Sequence, residues 1–503
     1  MTLGAGAAGV KFAQYLAAAR ALCYMLGGMA QPDPWLEHYG ERRSVPARAS
    51  RLPVVLTLVS AAAVVIAALV LYTGRSGGWL PPSGLGGFHD CTYGDRVSAR
   101  CATVTGLHVA IIPATRQPAR GALVYLEGGP GGAATAVAVS VNEVFAKVSE
   151  FRDIVMVDQR GTGGSQAVAC PQEHVRATDA NAVASYLRRC FARLGAARTR
   201  RLGSEAAAAD LERVRQALGY GRVDLYGSSY GATLAQVYLR RFPRSVRTAT
   251  LDGASLESSP VYELAGRNAE RALDAQTARC RAQPACARAF PDTRADLERV
   301  LARHPRSADD LATTVAVLLR SPEDAARVPL LLHEAAGGDA GPLTREFAAH
   351  VGAELDGRSR LPMFWVTLCN EGWARFDVAA TARASRGSYL AHAAAARARM
   401  FRTACAAVPR RAESPGSERS WSSLVPVLLL AGDDDPQDPP ANLAGWRKTF
   451  PGGRLISVPG LAHGVIAYGC LRLVTARFVA AGTARGLDAS CARRVPLPRF
   501  ELR

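Results

Sequence analysis

The segment Arg222-Val-Asp-Leu-Tyr-Gly-Ser-Ser-Tyr-Gly231, continued by Ala-Thr-Leu-Ala-Gln-Val-Tyr-Leu-Arg-Arg, decides the fold of this 503-residue chain. Val223 to Tyr226 predict a short buried strand, and Ala232 to Arg241 predict a helix with one apolar face. The five residues between them, 227–231, follow the pattern Gly-x-Ser-x-Gly with Ser229 at its centre. This pattern is typical of a tight strand-to-helix turn that exposes a nucleophilic serine.

The glycines at 227 and 231 favour Ser229 over its neighbour Ser228 as the nucleophile. A residue on such a turn has a strained backbone, and glycines two positions away on either side allow the strand and the helix to cross closely. Ser228 has no glycines at these offsets. The helix that follows also directs its amide end toward the place where negative charge develops during acyl transfer.

The net charge of +18 comes almost wholly from arginine, since Lys11, Lys147 and Lys448 are the only lysines. Such a charge raises the possibility of nucleic-acid binding. However, the arginines are scattered over Ala/Arg-rich segments, and no dense basic run with interleaved aromatic residues occurs. We therefore expect no nucleic-acid partner.

An uncharged run of 23 residues, Leu52 to Gly74, is dominated by Val, Ala, Leu and Ile. This length is sufficient to cross a hydrocarbon core of ~30 Å. Arginines precede the run, so the positive-inside rule places residues 1–51 in the cytoplasm and the rest of the chain outside. The alternative is a signal peptide that is removed, which would give a secreted protein. The absence of a small-x-small cleavage site after the run favours a single-pass anchor in the cell membrane.

Cysteine usage also indicates export. One of the 11 cysteines, Cys23, precedes the apolar run, and ten follow it. The ten form sequence-adjacent couples: Cys91 and Cys101, Cys170 and Cys190, Cys280 and Cys286, Cys369 and Cys405, Cys470 and Cys491. An even number outside the membrane is typical of disulfides in an oxidising compartment, although sequence alone leaves the connectivity open. Metal-type spacings such as Cys-x-x-Cys do not occur.

Ala122 to Leu126 predict a buried strand that leads into the loop Glu127-Gly-Gly-Pro-Gly-Gly132. The backbone N–H groups of such a glycine-rich loop are not covered by side chains. Beside a nucleophile they would form half of an oxyanion hole, and the N–H of Tyr230 would form the other half. After the next strand, we expect the charged pair Asp158 and Arg160 to brace neighbouring loops rather than to bind substrate.

Strands that are continuous apolar runs alternate with helices, which predicts a mostly parallel sheet covered on both faces. Between residues 255 and 420 the strand signals fade and long helical segments dominate, which predicts a helical lid. One run in this segment, Trp365 to Glu371, ends in Asn370 and Glu371. The carboxylate of Glu371 could hold the cationic amine of a substrate, or it could be an ordinary solvated side chain.

The strand pattern returns at Val425 to Ala431, followed by the acidic loop Gly432-Asp-Asp-Asp-Pro-Gln-Asp-Pro-Pro440. Its prolines and its lack of a closing glutamate fit a calcium loop poorly. A last strand precedes His463, the only histidine downstream of that loop. The candidate nucleophile, acid and histidine each come just after a predicted strand. They follow one another in the chain order that is typical of an α/β-hydrolase triad.

With these motifs in view, the chain from roughly Cys91 to Cys491 resembles the proline iminopeptidase and tripeptidyl aminopeptidase family of α/β-hydrolases. Glu127–Gly132 is similar to the glycine-rich oxyanion loop of that family, and Asp158-Gln-Arg-Gly-Thr-Gly-Gly-Ser165 is similar to its Asp-Gln-Arg-Gly signature. Gly432-x-x-Asp435-Pro-x-x-Pro439 resembles the acid motif and selects Asp435 from the acidic cluster. Cys470 and Cys491 resemble the C-terminal cysteine pair of the exported members.

The chain departs from the family pattern at two positions. Glu127 replaces a histidine that often precedes the glycine loop, and Asp438 replaces a frequent threonine. Both departures weaken a prediction of proline specificity.

The resemblance implies a serine exopeptidase that removes short N-terminal units from peptides outside the cytoplasm. Ser229 would be the nucleophile, His463 the base, and Asp435 the residue that orients the histidine. Gly128, Gly129 and Tyr230 would supply the oxyanion hole, and Glu371 is the candidate anchor for the substrate amine. No metal or other cofactor is expected.

Two other functions remain open, a carboxylesterase or lipase with the same triad and a surface binding module without activity.

The sequence predicts six segments along the chain: a cytoplasmic segment 1–51, an anchor or signal 52–74, a linker 75–90, the first part of the core 91–254, a lid 255–420 and the C-terminal part of the core 421–503. The oligomeric state is not indicated.

Overall fold

The computed structural model describes residues 79–168, 170, 175, 179–350, 361–372, 377–410 and 420–503. The predicted membrane-spanning run, 52–74, lies outside these residues. Within the described part of the chain, no helix combines the length and the apolar composition needed to cross a bilayer.

A single nine-stranded sheet forms the centre of the described chain. Its strands are β1 His89–Tyr93, β2 Val97–Val104, β3 Leu107–Ile112, β4 Ala122–Leu126, β5 Asp153–Val157, β6 Val223–Ser228, β7 Val246–Asp252, β8 Val427–Gly432 and β9 Arg454–Val458. Their spatial order is β1-β2-β3-β5-β4-β6-β7-β8-β9. The pairs β1–β2, β2–β3 and β3–β5 are antiparallel. The other six strands in the spatial order, β5, β4, β6, β7, β8 and β9, run parallel to one another.

Helices connect the parallel strands and fill the segment between β7 and β8. They are α1 Ala138–Val144, α2 Ala180–Leu194, α3 Ala196–Thr199, α4 Ser204–Leu218, α5 Tyr230–Arg241, α6 Ala265–Arg281, α7 Pro284–Ala289, α8 Thr293–Arg303, α9 Ala308–Leu318, α10 Pro322–Ala325, α11 Val328–Gly337, α12 Gly341–His350, α13 Leu361–Thr367, α14 Val378–Ala384, α15 Ala391–Cys405, α16 Trp446–Thr449 and α17 Leu471–Ala481. A π-helical turn, Leu368–Gly372, follows α13 directly.

Both faces of the parallel strands are covered, as the continuous apolar runs predict. One core packs helices α4 and α5 against the sheet, for example through Leu211 and Leu234. The other packs α1 and α17 against the opposite face, for example through Val141 and Phe478. Strands β5 and β8 are buried along their whole length, as expected of strands with helices on both faces.

The helices from α6 to α15 form an insertion between β7 and β8. It has an apolar core of its own, in which Leu273 of α6, Leu297 of α8, Val315 of α9 and Leu332 of α11 are all buried. A further cluster joins this insertion to α2 of the main domain. Residues 265–405 are called the helical insertion.

The ten described cysteines form five disulfides in the sequence-adjacent couples named above: Cys91–Cys101, Cys170–Cys190, Cys280–Cys286, Cys369–Cys405 and Cys470–Cys491. Five disulfides are typical of a protein in an oxidising compartment. This supports an extracytoplasmic location for the part of the chain that contains them.

The sequence pattern predicts a first strand from about Ala102 and a single helix over Ala380 to Arg402, and both predictions are wrong. Strand β1 begins at His89, and its polar, partly exposed residues carry little hydrophobic signal. The predicted helix is divided into α14 and α15. The chain turns between them, and Gly387 there has a positive φ of 79°, which a glycine adopts without strain.

Candidate active site

Ser229 lies on the turn between β6 and α5, with φ 56° and ψ −124°. A non-glycine residue with positive φ is strained and is held there only by its surroundings. A Cβ atom at Gly227 would lie 2.2 Å from the oxygen of Gly231, and a Cβ at Gly231 would lie 2.1 Å from the oxygen of Leu126. The two flanking glycines are therefore required by the close approach of three backbone segments.

The loop after β4 passes directly beside Ser229. A Cβ atom at Gly128 would lie 3.1 Å from the oxygen of Ser228 and 3.4 Å from Cβ of Ser229. Tyr230 is the first residue of α5, and N–H groups in the first turn of a helix have no acceptor within it. The predicted oxyanion residues Gly128 and Tyr230 are thus on either side of the serine, and Gly129 follows in the same loop.

His463 and Asp435 lie in hydrogen-bond contact, with 2.8 Å between Nδ1 of His463 and Oδ2 of Asp435. The other carboxylate oxygen of Asp435 accepts the backbone N–H groups of Gln437, at 2.8 Å, and Asp438, at 3.0 Å. Burial alone would raise the pKa of Asp435, but His463 and these N–H donors outweigh it and hold the pKa below the ordinary value. Asp435 is therefore an ionised, immobilised partner for the histidine.

The charge on Asp435 also acts on the histidine. Burial alone would lower the pKa of His463, but the adjacent Asp435 carboxylate outweighs that effect, so the pKa lies above the usual histidine value. Such a pairing fixes the tautomer in which Nε2 of His463 is free to accept a proton.

Gln437 is a site residue that the sequence reasoning missed. Its Nε2 atom lies 3.4 Å from Oγ of Ser229 and 3.5 Å from Nε2 of His463, and it donates to Oδ2 of Asp438 at 2.8 Å. The amide of Gln437 therefore contacts the serine and the histidine at the same time. Its position two residues after Asp435 carries no signal by itself.

Asp438 places a second carboxylate beside the histidine, with 3.8 Å between its Oδ2 atom and Nδ1 of His463. Burial raises the pKa of Asp438, despite the opposing effect of His463. Asp435, Asp438 and His463 are also the group of described residues whose spacing could suit a metal ion. In this structure their polar atoms bond to one another, to Gln437 and to Ser255 instead.

Three hydrogen bonds that the sequence did not indicate fix the loop that carries His463. Asp252, at the end of β7, accepts the backbone N–H groups of Val465 at 2.8 Å and Ile466 at 3.0 Å. The backbone oxygen of Arg320, in the helical insertion, accepts the N–H of His463 at 3.0 Å. The histidine is thus held by both the sheet and the insertion.

Glu371 lies in the π-helical turn after α13 and reaches the main domain. Its carboxylate accepts the backbone N–H of Ser204 at 2.7 Å and also the hydroxyl of Ser204. The same hydroxyl is 2.9 Å from the hydroxyl of Tyr230, the residue after the candidate nucleophile Ser229. Glu371 is therefore not an isolated surface residue.

Asp158 and Arg160 do not pair with each other. Asp158 accepts the backbone N–H groups of Thr135 and Gly164, and Arg160 binds the carboxylate of Asp210 in α4. These contacts agree with the predicted bracing role.

A cavity of about 870 Å³ connects these groups. Its lining includes Ser229, His463 and Gly128 from the main domain, together with Glu371 and Arg320 from the helical insertion. The candidate nucleophile, the candidate base and the candidate amine anchor therefore face the same space.

The comparisons with known proteins agree with this architecture. The family described as the alpha/beta hydrolase fold matches residues 121–469, so the chain belongs to that family. The predicted fold class, an α/β-hydrolase with a mostly parallel sheet, is confirmed.

Two curated relatives are similar to part of the chain. A tripeptidyl aminopeptidase of Streptomyces coelicolor is 34% identical over 157 residues, which cover 27% of this chain and 29% of that protein. Serine protease Hip1 of Mycobacterium tuberculosis is 30% identical over 189 residues, which cover 33% of this chain and 36% of that protein. The chain thus spans about a third of the length of the curated relatives it matches.

Among solved structures, a proline iminopeptidase of Mycobacterium smegmatis has 17% sequence identity and a TM-score of 0.34, with 78% of this chain and 98% of that chain covered. A curated proline iminopeptidase of Neisseria meningitidis is 28% identical over 134 residues, which cover 27% of this chain and 33% of that protein. The names of the curated relatives confirm the predicted resemblance to tripeptidyl aminopeptidases and proline iminopeptidases, and they support the predicted class of serine hydrolase.

Proposed function

We propose that this protein is a serine exopeptidase that cleaves peptide bonds near the N-terminus of peptides through an acyl-enzyme. The observation that carries the proposal is the shared cavity, in which a serine on a strained turn, a paired histidine and the carboxylate of Glu371 face the same space. The named relatives, which include an aminopeptidase and a serine protease, support a peptidase rather than an esterase.

In the proposed mechanism, Oγ of Ser229 attacks the carbonyl carbon of the scissile bond while Nε2 of His463 accepts the hydroxyl proton. Asp435 stabilises the imidazolium that forms. His463 then gives this proton to the leaving amine, and the C–N bond breaks to leave the acyl-enzyme. Water, activated by the same histidine, releases the N-terminal product and restores the serine.

The oxyanion of each tetrahedral intermediate would be held by backbone N–H groups of the glycine loop at 128–129 and of Tyr230. For attack to occur, Gln437 must allow a hydrogen bond between Ser229 and His463. Catalytic hydrogen bonds are often long before a substrate binds, so a small rotation of the Gln437 side chain is part of the proposal.

The helical insertion would act as the lid that limits access to peptide N-termini, with the amine of the substrate on Glu371. Glu371 lines the cavity, and a carboxylate oxygen can accept from more than one donor because it has two lone pairs. The five disulfides support a location outside the cytoplasm, and anchoring through residues 52–74, or secretion after signal cleavage, stays a prediction.

The proposal is tested with the full chain on aminoacyl-, dipeptidyl- and tripeptidyl-coumarin amides, each free and N-acetylated, beside p-nitrophenyl esters. We expect cleavage of free but not acetylated amides, and the most active length names the unit removed. Ser229→Ala is the control and should lose activity by at least about 10,000-fold. Turnover of esters alone would make the protein an esterase, and activity retained in Ser229→Ala would contradict the mechanism.

A further inference from the structure

Arg320 is a cation in the active-site cavity that the proposed mechanism does not use. It lies between α9 and α10 of the helical insertion and lines the cavity together with Ser229 and His463. Its Nε atom is buried and has no hydrogen-bond partner. Leaving a buried charged donor without a partner costs free energy, which indicates that an acceptor arrives with a ligand.

The carboxylates that line the cavity accept from donors other than Arg320. Glu205 and Glu257 bind Arg240, Asp438 accepts from Gln437 and Ser255, Glu127 from Tyr125, Glu263 from the backbone N–H of Asp377, and Glu371 from Ser204. Among the described residues, none of them is within ion-pair distance of Arg320. The guanidinium group therefore remains available to an anion in the cavity.

The backbone places Arg320 on the histidine side of the nucleophile. Its carbonyl oxygen accepts the N–H of His463 at 3.0 Å. Its charge acts on the imidazole as well, since burial and Arg320 both lower the pKa of His463 while Asp435 raises it. Glu371, by contrast, is bonded through Ser204 to Tyr230, the residue after the nucleophile.

The positions of Arg320 and Glu371 correspond to different halves of the substrate. In acyl transfer the histidine gives its proton to the leaving amine, so the leaving group must lie over the imidazole. An acidic group close to His463 would therefore belong to the leaving half of the peptide. Guanidinium binds carboxylate through two parallel N–H···O bonds, which makes arginine well suited to recognise it.

We propose that Arg320 binds a carboxylate on the leaving group of the substrate and is a specificity-determining residue for that side of the scissile bond. The carboxylate is either the free C-terminus of a leaving group one residue long or the side chain of an acidic first residue. This inference rests on the proposed peptidase function, which it extends from the amine side to the leaving side.

The test uses the full chain and three peptides that share the best N-terminal unit and differ in the leaving group: alanine with a free carboxylate, alanine amide and aspartate amide. At a pH well above the pKa of His463, where the effect of Arg320 on that pKa no longer changes the rate, we expect Arg320→Gln to lower kcat/KM about 10- to 100-fold for a carboxylate-bearing leaving group and to change it little for alanine amide. Arg320→Lys should retain part of the preference. Arg306→Gln, which removes a charge from an exposed position outside the cavity, is the matched control.

A loss confined to free alanine assigns the C-terminal carboxylate, and one confined to aspartate amide assigns the side chain. An equal loss on all three peptides would overturn the carboxylate site and leave the peptidase function intact. Labelling with a fluorophosphonate shows whether the variant is folded. If Arg320→Gln does not label, the wild-type protein decides, because equal kcat/KM for alanine, alanine amide and aspartate amide overturns the proposal. Absence of all peptide cleavage by wild type would overturn both proposals.

Discussion

The carboxyl edge of the sheet and the helical insertion line the same cavity with different kinds of structure. At the sheet edge, Ser229 and Asp435 are held by backbone contacts at the ends of buried strands, and Asp435 has no exposed surface. In the insertion, Glu371 and Arg320 are partly exposed side chains on a helical turn and a short connection. The insertion also has a separate apolar core.

This difference indicates a division of roles. Residues at strand ends are fixed by the whole sheet, so they suit a reaction that needs their atoms at set positions. Residues of the insertion depend on local helix packing, and they suit the choice of substrate. Changes at the sheet edge should therefore reduce turnover of every substrate, and changes in the insertion should reduce turnover of some substrates only.

Asp435→Asn should give the largest effect. We expect kcat to fall about 10,000-fold for amide and ester substrates alike, because the asparagine amide favours the wrong tautomer of His463.

The pH dependence tests the same pair. Wild-type kcat/KM should fall with decreasing pH at a pKa above the usual histidine value, since a protonated His463 cannot act as base. Asp435→Asn removes the charge that raises this pKa, so the fall should move to lower pH.

Asp438→Asn is the matched control, because Asp438 also raises the pKa of His463 but lies farther from its Nδ1 atom. Its shift of the pH profile should have the same sign and a smaller size. A larger loss of activity in Asp438→Asn than in Asp435→Asn would identify Asp438 as the principal partner of the histidine.

Glu371→Gln should have a smaller and selective effect. We expect kcat/KM to fall about 10- to 100-fold for peptides with a free N-terminal amine, because a charge-assisted hydrogen bond to the ammonium group is lost. Rates on p-nitrophenyl esters should be nearly unchanged. The exposed Glu298→Gln in α8 serves as control. An equal decrease on esters would mean that Glu371 supports the structure around Ser204 rather than the substrate.

Removal of the Cys369–Cys405 disulfide should give the smallest effect on catalysis. The bond closes a segment with a sequence separation of 36, and chain entropy predicts a loss of about 3–4 kcal/mol in the free energy of unfolding for the double Cys→Ser variant. Because Cys369 is two residues from Glu371, KM for free-amine peptides should rise while ester turnover is retained.

Denaturant unfolding and parallel kinetics on the two substrate types measure these changes. The Cys280–Cys286 disulfide is the control, since it has a separation of only 6 and should contribute about 2 kcal/mol. If each disulfide variant loses turnover of esters and of peptides by the same factor, the proposed division of roles between the sheet edge and the helical insertion is incorrect.

Much of the fold was predictable because local patterns and tertiary structure agree in the parallel strands. Short motifs predict the strand-to-helix turn around Ser229, the glycine-rich loop, and the chain order of Ser229, Asp435 and His463. The weakly hydrophobic β1 and the turn between α14 and α15 were missed, because exposed strands and short helix breaks leave little signal in the sequence. The predicted catalytic roles remain proposals for the experiments above.

The sequence by itself determined the fold class, the candidate triad and the cysteine couples, because each depends on residues that are adjacent or on strands with a strong apolar pattern. Only the tertiary structure decided that Gln437 touches both Ser229 and His463, that Asp252 holds the histidine loop and that Arg320 enters the cavity. These contacts join residues far apart in the chain, and their geometry exists only after the sheet and the insertion have packed.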